Sequence, residues 1–207
     1  EYADISSFDT TNCARFNMMF AWQRNLKTLK TGSKFKGTNA TTCNAMFLGD
    51  ASLTTFNFLS TFSTPKVTDF SSMFSGKFEE IDLTNIDTTA YINSLDNSAI
   101  VEKNMNDFLP RFSNIKKITF GVNNKWRYDE SISNLNYDGY GIPYCCNNAL
   151  KYRISIASDQ SETHVKNKWS KTDNSYRNLT FDEILEKGSI DPSFNLAGTW
   201  LRDDALT

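Results

Sequence analysis

Large apolar residues recur at a fixed step along the first 120 or so positions, and no single helix or strand period accounts for them. The dipeptides Met19-Phe20, Met46-Phe47 and Met73-Phe74 lie 27 residues apart and use three of the five methionines. Stepping by the same interval aligns other positions. Tyr2, Leu29, Phe56 and Leu83 fall in one column, and Phe8, Phe35 and Phe62 in another. Ile5, Leu59 and Ile86 form a third column, interrupted by Gly32, and Leu26 and Leu53 a fourth, interrupted by Glu80. A unit this short cannot bury its own apolar side, so a repeat of this length implies that neighbouring units cover one another.

The expected fold class is therefore an α/β repeat: a leucine-rich-repeat-like solenoid of about 27-residue coils, each a short strand plus a helical turn. Leu26-Lys-Thr-Leu29, Leu53-Thr-Thr-Phe56 and Glu80-Ile-Asp-Leu83 read as strands entering turns. The stretch Ser-Ser-Met-Phe-Ser-Gly at 71 to 76 reads as a helical turn stopped by glycine. Beyond Thr89 the signature fades to Ile100-Val101. A helical turn over 104 to 109 stops at Pro110, and Ile115 to Gly121 supplies a last strand. These features place the repeat in residues 1–124.

Residues 125–207 differ in composition and read as an α+β capping or accessory region. Tyr152, Ile154 and Ile156 alternate as in a half-buried strand. Thr180-Phe-Asp-Glu183 has the form of a capping box opening a short helix that Gly188 ends. Trp169 and Trp200 are expected to pack this region against the last coil.

Composition changes this picture only by exclusion. The formal charge is −2, from 22 basic and 24 acidic residues, with no basic patch interleaved with aromatics. Nucleic acid is not an expected partner. No apolar run approaches the ~18 residues of a membrane-spanning helix, so no membrane insertion is expected. The chain opens within a coil, as expected of a piece of a longer protein. Cys13 and Cys43 fall in core columns offset by three positions, which disfavours a bridge between them, and Cys145-Cys146 could pair with each other or elsewhere. Two free thiols are the preferred expectation for the first pair, and no spacing suggests zinc or redox chemistry.

The repeats resemble those of a known family. Phe-Asp-Thr-Thr at 8 to 11, Ser-Thr-Pro-Lys-Val-Thr-Asp-Phe-Ser-Ser-Met-Phe-Ser-Gly at 63 to 76, and Ile81-Asp-Leu83 are similar to the repeats of BspA-like leucine-rich-repeat bacterial surface proteins. Lys168-Trp169, Leu179-Thr-Phe-Asp-Glu-Ile-Leu185 and Ala197-Gly-Thr-Trp200 are similar to the terminal segment of such proteins in lactic-acid bacteria and their relatives. Thr-Gly-Ser at 31 to 33 departs from the usual Asp-Leu-Ser, and cysteines are unusual in these repeats. The resemblance implies a secreted or cell-wall-attached protein that contacts host or neighbouring-cell proteins or glycans. It carries over no catalytic activity and no fixed binding residues.

The residues themselves suggest no enzyme. His164 is the only histidine and lies in a polar stretch. The carboxylate pairs Glu79-Glu80, Asp129-Glu130 and Asp203-Asp204 read as exposed turns. No cofactor and no metal site is expected, because the Asp-x-Asx clusters suited to calcium are absent. The candidate ligand-binding residues are outward positions flanking the strand cores: Thr28, Lys30, Thr55, Asn57, Asp82, Thr84, Lys117 and Thr119. Two alternatives accompany this adhesive reading. One is a carbohydrate-binding end module using Tyr140 in a glycine-containing loop, whose ring could stack on a sugar. The other is a structural spacer in a larger surface protein.

Overall fold

The structure is a computed structural model of the chain, described here for residues 1–49, 52–56, 61–74, 77–94, 115–124, 168–180, 183–184, 187–188 and 191–205. Among the described residues eight short strands form two sheets. β1 (Tyr2–Ile5) and β2 (Thr28–Thr31) pair in parallel as a two-stranded sheet. β3 (Thr55–Phe56), β4 (Glu80–Leu83), β5 (Lys117–Phe120), β6 (Lys168–Lys171), β7 (Leu179–Thr180) and β8 (Gly198–Arg202) form a six-stranded sheet in the order β3-β4-β5-β8-β6-β7. The β3, β4 and β5 pairings are parallel, and those involving β8, β6 and β7 are antiparallel. One sheet thus draws strands from both 1–124 and 125–207.

The Met-Phe segments account for most of the difference from expectation. Each opens on a β-turn. The amide of Met19 donates to the carbonyl of Phe16 at 3.3 Å, that of Met46 to Cys43 at 3.2 Å, and that of Met73 to Phe70 at 3.1 Å. The third residue of each turn is left-handed, with φ of 54° at Met18, 53° at Ala45 and 55° at Ser72. A helix requires negative φ throughout, so a positive φ at this point selects a type II-like turn and halts helical propagation. The freed amides donate to the following segment. Phe16, Met18, Phe20 and Trp22 donate to the carbonyls of Thr42, Asn44, Met46 and Leu48, and Cys43, Ala45 and Phe47 donate to Asp69, Ser71 and Met73, all within 2.7–3.0 Å.

This corrects the expectation of an α/β leucine-rich-repeat-like solenoid with a helical turn in every coil and an α+β cap. Among the described residues the chain is strand and turn, split between two separate sheets. Helical conformation is confined to the six-residue α1 (Thr89–Ser94), a 3-10 turn at Asp203–Ala205, and positions 183–184 and 187–188. The stretch at 71 to 74 is a turn. The expected features at Leu59, Ile100-Val101, 104 to 109 and Tyr152 to Ile156 lie outside the described residues.

Register is the second correction. The turns keep the 27-residue step, since Arg15 bridges Thr42 and Thr42 bridges Asp69. The strands do not. Leu29 lies opposite Ala3, not Tyr2, and Phe56 lies opposite Ile81, not Leu83. A one-residue shift moves a strand side chain to the opposite face, and Tyr2 is accordingly 60% exposed.

Gly32 and Gly121, which directly follow β2 and β5, lie directly against a neighbouring backbone. A Cβ on Gly32 would lie 2.0 Å from the carbonyl oxygen of Ser6, and one on Gly121 would lie 2.2 Å from that of Thr84. The break at Gly32 in the third column is therefore required by the fold.

Between the segments the core is aromatic. Phe47 stacks on Phe20 at 5.3 Å and on Phe74 at 6.1 Å between centroids, and Phe35 stacks on Phe62 at 5.5 Å. Phe16 meets Phe35 and Phe62 edge-on. Such pairs add about 0.5–1.5 kcal/mol each beyond area burial. Phe8, in the same sequence column as Phe35 and Phe62, is 47% exposed. At the far end β8 lies antiparallel on β5, and Trp169 and Trp200 are buried. The Trp200 Nε1 donates to the carbonyl of Leu196 at 2.9 Å. The capping box forms as expected: the Thr180 amide and Oγ1 donate to Glu183 Oε2 at 2.6 and 3.0 Å, and the Glu183 amide donates to Thr180 Oγ1 at 3.1 Å.

Candidate functional site

Parallel pairing places residues of successive strands in rows, and alternate rows face outward. On the six-stranded sheet one outward row runs Thr55, Glu80, Lys117, and a second runs Asp82, Thr119, Thr199. Ile81, Leu83, Ile118 and Phe120 point to the other face and are buried, which fixes the outward orientation of their neighbours. The structure thus brings Thr55, Asp82, Lys117 and Thr119 onto one polar strip. Thr84 follows β4 in a turn, where its amide and Oγ1 donate to Asp82 Oδ1 at 2.9 and 2.5 Å. Thr28 and Lys30 are exposed but belong to the two-stranded sheet. Asn57 and Tyr140 lie outside the described residues.

The strip is cross-linked along its own rows. Lys117 Nζ lies 3.1 Å from Glu80 Oε2, and the hydroxyls of Thr119 and Thr199 are 3.0 Å apart. Just before these strands Lys116 meets Glu79 at 2.9 Å, and on the other sheet Lys30 meets Asp4 at 3.0 Å. Exposed pairs of this kind contribute only about 0.2–1 kcal/mol each. Their larger effect is to hold alternating charges in fixed positions on the outward face. Glu80 and Thr199 belong to the strip, yet the sequence had suggested neither. Of the pair Glu79-Glu80, expected in an exposed turn, Glu80 opens β4 and Glu79 immediately precedes it.

A second recurrent feature is Asp-x-Ser/Thr. In Asp4-Ser6, Asp69-Ser71, Asp82-Thr84, Asp173-Ser175 and Asp191-Ser193, the Asp Oδ1 accepts both the backbone amide and the hydroxyl two residues on. Such local bonds fix turns in place of secondary structure. The spacing is visible in the sequence and marks the turns that flank the strands. Hydrogen bonds from the hydroxyl and amide of Ser6, and then from Lys30, hold the Asp4 carboxyl far below its usual range. The bond to Asp4 correspondingly raises the Lys30 ammonium. Asp173 and Asp191 are lowered by Ser175 and Ser193 in the same way.

Carboxylates lowered in the folded state contribute stability above the unfolded value of 3.8, and that contribution is lost as pH falls through the folded value. The melting temperature is therefore expected to fall on acidification from about pH 5 to about pH 2. The fall should be shallower in Asp191→Asn, which keeps the acceptor oxygen but cannot titrate. A thermal melt series across that range checks it.

Cys13 and Cys43 are both free thiols. Cys43 is buried, and burial pushes its thiol well above the ordinary range, with Asp69 adding to the shift. Cys145 and Cys146, His164, and the carboxylate pair at 129 and 130 lie outside the described residues. Among the described residues no group of three or more His, Cys, Asp or Glu could hold a metal ion, and no helix is long and apolar enough to cross a membrane.

No family model matches the chain, and neither a curated protein nor a solved structure matches it. The resemblance to BspA-like surface proteins rests on the motifs quoted above.

Proposed function

We propose that this chain is a non-enzymatic, extracellular binding module that contacts a host or neighbouring-cell protein through the outward strip of the six-stranded sheet. The observation that carries this reading is the strip itself: Thr55, Glu80, Lys117, Asp82, Thr119 and Thr199 stand in two adjacent rows on paired strands. A row of fixed, oppositely charged side chains on a rigid sheet provides orientation and specificity for a complementary protein surface. The Met-Phe and Asp-Thr motifs that resemble bacterial surface proteins support an extracellular, wall-attached or secreted setting.

The test is a binding screen of the chain against immobilised extracellular-matrix proteins and a glycan array. The expected result is a protein hit whose affinity drops at least about tenfold, or 1.4 kcal/mol, in Lys117→Glu and in Asp82→Lys. Lys117→Glu loses its pair with Glu80 and Asp82→Lys loses the turn bonds from Thr84, so affinities are compared well below the melting temperature measured for each variant. A glycan-only hit that disappears in Tyr140→Ala would move binding to the carbohydrate alternative. A protein hit indifferent to both strip variants would remove the strip.

A further inference from the structure

On the outward strip, donors and acceptors sort to opposite sides of one line. Glu80 of β4 lies directly across from Lys117 of β5, and Asp82 directly across from Thr119. In both rows the acceptor stands on β4 and the donor on β5, on strands about 4.8 Å apart. Neither row is saturated. Lys117 donates to Glu80 Oε2 alone, and among the described residues Glu80 Oε1 has no donor. Both side chains remain nearly half exposed, at 44% and 47%. Asp82 Oδ1 takes both bonds from Thr84, and no donor among the described residues reaches Oδ2. The Thr119 hydroxyl can accept from Thr199 and keep its own proton for a further acceptor. Unused acceptors thus stand on the β4 side of the line between the two strands, and unused donors on the β5 side.

A half-turn about that line carries every acceptor onto a donor. A second copy, turned face to face about an axis parallel to the strands, sets the partner's Lys117 over Glu80 and the partner's Glu80 over Lys117. In the next row the partner's Thr119 meets Asp82, and the partner's Asp82 meets Thr119. Each ion pair within a chain becomes one side of an alternating square of charges. One strand further out, exposed Thr55 meets half-buried Leu201, so no charge is set against an apolar side chain. A half-turn about an axis across the strands would instead lay Glu80 on Asp82, carboxylate against carboxylate, so the pattern selects one orientation. Sheets packed face to face keep their strands within about 30° of each other, as this orientation does. Each copy presents the same patch, so the contact closes as a pair. We infer that the strip docks on the same strip of a second copy of this chain, about a twofold axis parallel to the strands between β4 and β5. Self-recognition rests on the strip being the binding surface proposed above, and it identifies the neighbouring-cell partner as the same protein. A different protein would have to reproduce the pattern on both rows, whereas a second copy already carries it.

Sedimentation velocity of the 207-residue chain at concentrations up to about 1 mM tests this. A monomer–dimer equilibrium is expected. Glu80→Lys and Lys117→Glu should each weaken it at least about tenfold, because each sets like charges opposite one another. Lys34→Glu, at an exposed pair with Asp9 outside the strip, should leave it unchanged. An equimolar mixture of the Glu80→Lys and Lys117→Glu chains should associate to within about threefold of the unaltered chain, since one presents two cations and the other two carboxylates. A variant that had merely unfolded would not recover on mixing. A chain that stays monomeric throughout overturns the inference, as does a dimer that neither reversal weakens or a mixture that fails to recover. If the monomeric chain still binds a matrix protein in a manner sensitive to Lys117→Glu and Asp82→Lys, the strip remains a binding surface and only self-recognition falls.

Discussion

Replacing Phe47 by alanine is expected to lower stability by about 3–5 kcal/mol, a large part of what a domain of this size possesses. Phe47 is fully buried. Its ring lies between Phe20 and Phe74, nearly parallel to the latter at 3°, and meets Phe78 edge-on at 6.1 Å. Truncation removes the hydrophobic transfer term and leaves a cavity lined by three rings that are held by their own segments and cannot collapse into it. The outer Phe20, left with only Phe35 at 6.2 Å among its ring contacts, should lose order first. Equilibrium urea unfolding measures the effect. Phe47→Leu should recover part of the loss by refilling volume without restoring the stack.

The second large effect is expected at Gly121. A Cβ there would overlap the backbone oxygen of Thr84, and a backbone carbonyl cannot swing away as a side chain can. The Gly121 amide is also tied to Asn124 Oδ1 at 2.7 Å, whose Nδ2 reaches back to the carbonyls of Leu83 and Ile86. Moving Gly121 therefore disturbs the joint between β4 and β5. Gly121→Ala should cost about 3 kcal/mol, at the upper end for overpacking. Gly188→Ala provides the control, because its Cβ would meet only Leu196, at 3.4 Å, and the position is helical. There the substitution should be neutral or stabilising by up to about 1 kcal/mol. Matched denaturant curves for the two alanine variants give the comparison directly.

Much of the core was legible because aromatic residues are large and their spacing survives even where strand register drifts. Phe35 and Phe62, Phe47 and Phe74, and the capping box of Thr180 and Glu183 all stand where the sequence placed them. Two things were not legible. The first is conformation within the Met-Phe segment, where one left-handed residue decides between helix and turn. Methionine, alanine and serine occupy that position, and none of the three advertises a positive φ as glycine or asparagine would. The second is the strand register. A uniform step of 27 aligned Tyr2 with Leu29, whereas the strands pair at 26 and 25 residues and only the turns keep 27. With a side-chain period of two, that small drift decides which residues face outward. Glu80 was missed for a different reason: the 27-residue step set it in the apolar column of Leu26 and Leu53, although its strand neighbours Thr55 and Lys117 were found. Thr199 was hidden for another reason: antiparallel addition of β8 beside β5 joins positions 80 residues apart, and no local pattern reports such a pairing.

The aromatic core and the departure from a helical repeat both depend on the Met-Phe segments being side-by-side turns that donate to the next segment. Residue-resolved amide hydrogen exchange tests that most directly. The expected result is slow exchange at Phe16 and Met18, which donate across to Thr42 and Asn44, and at Ala45 and Phe47, which donate to Ser71 and Met73, with fast exchange at Asn17, whose amide has no acceptor among the described residues. Fast exchange at Phe16, Met18, Ala45 and Phe47, with protection kept only at Met19 and Met46, whose bonds lie within their own segment, would contradict the paired-turn arrangement.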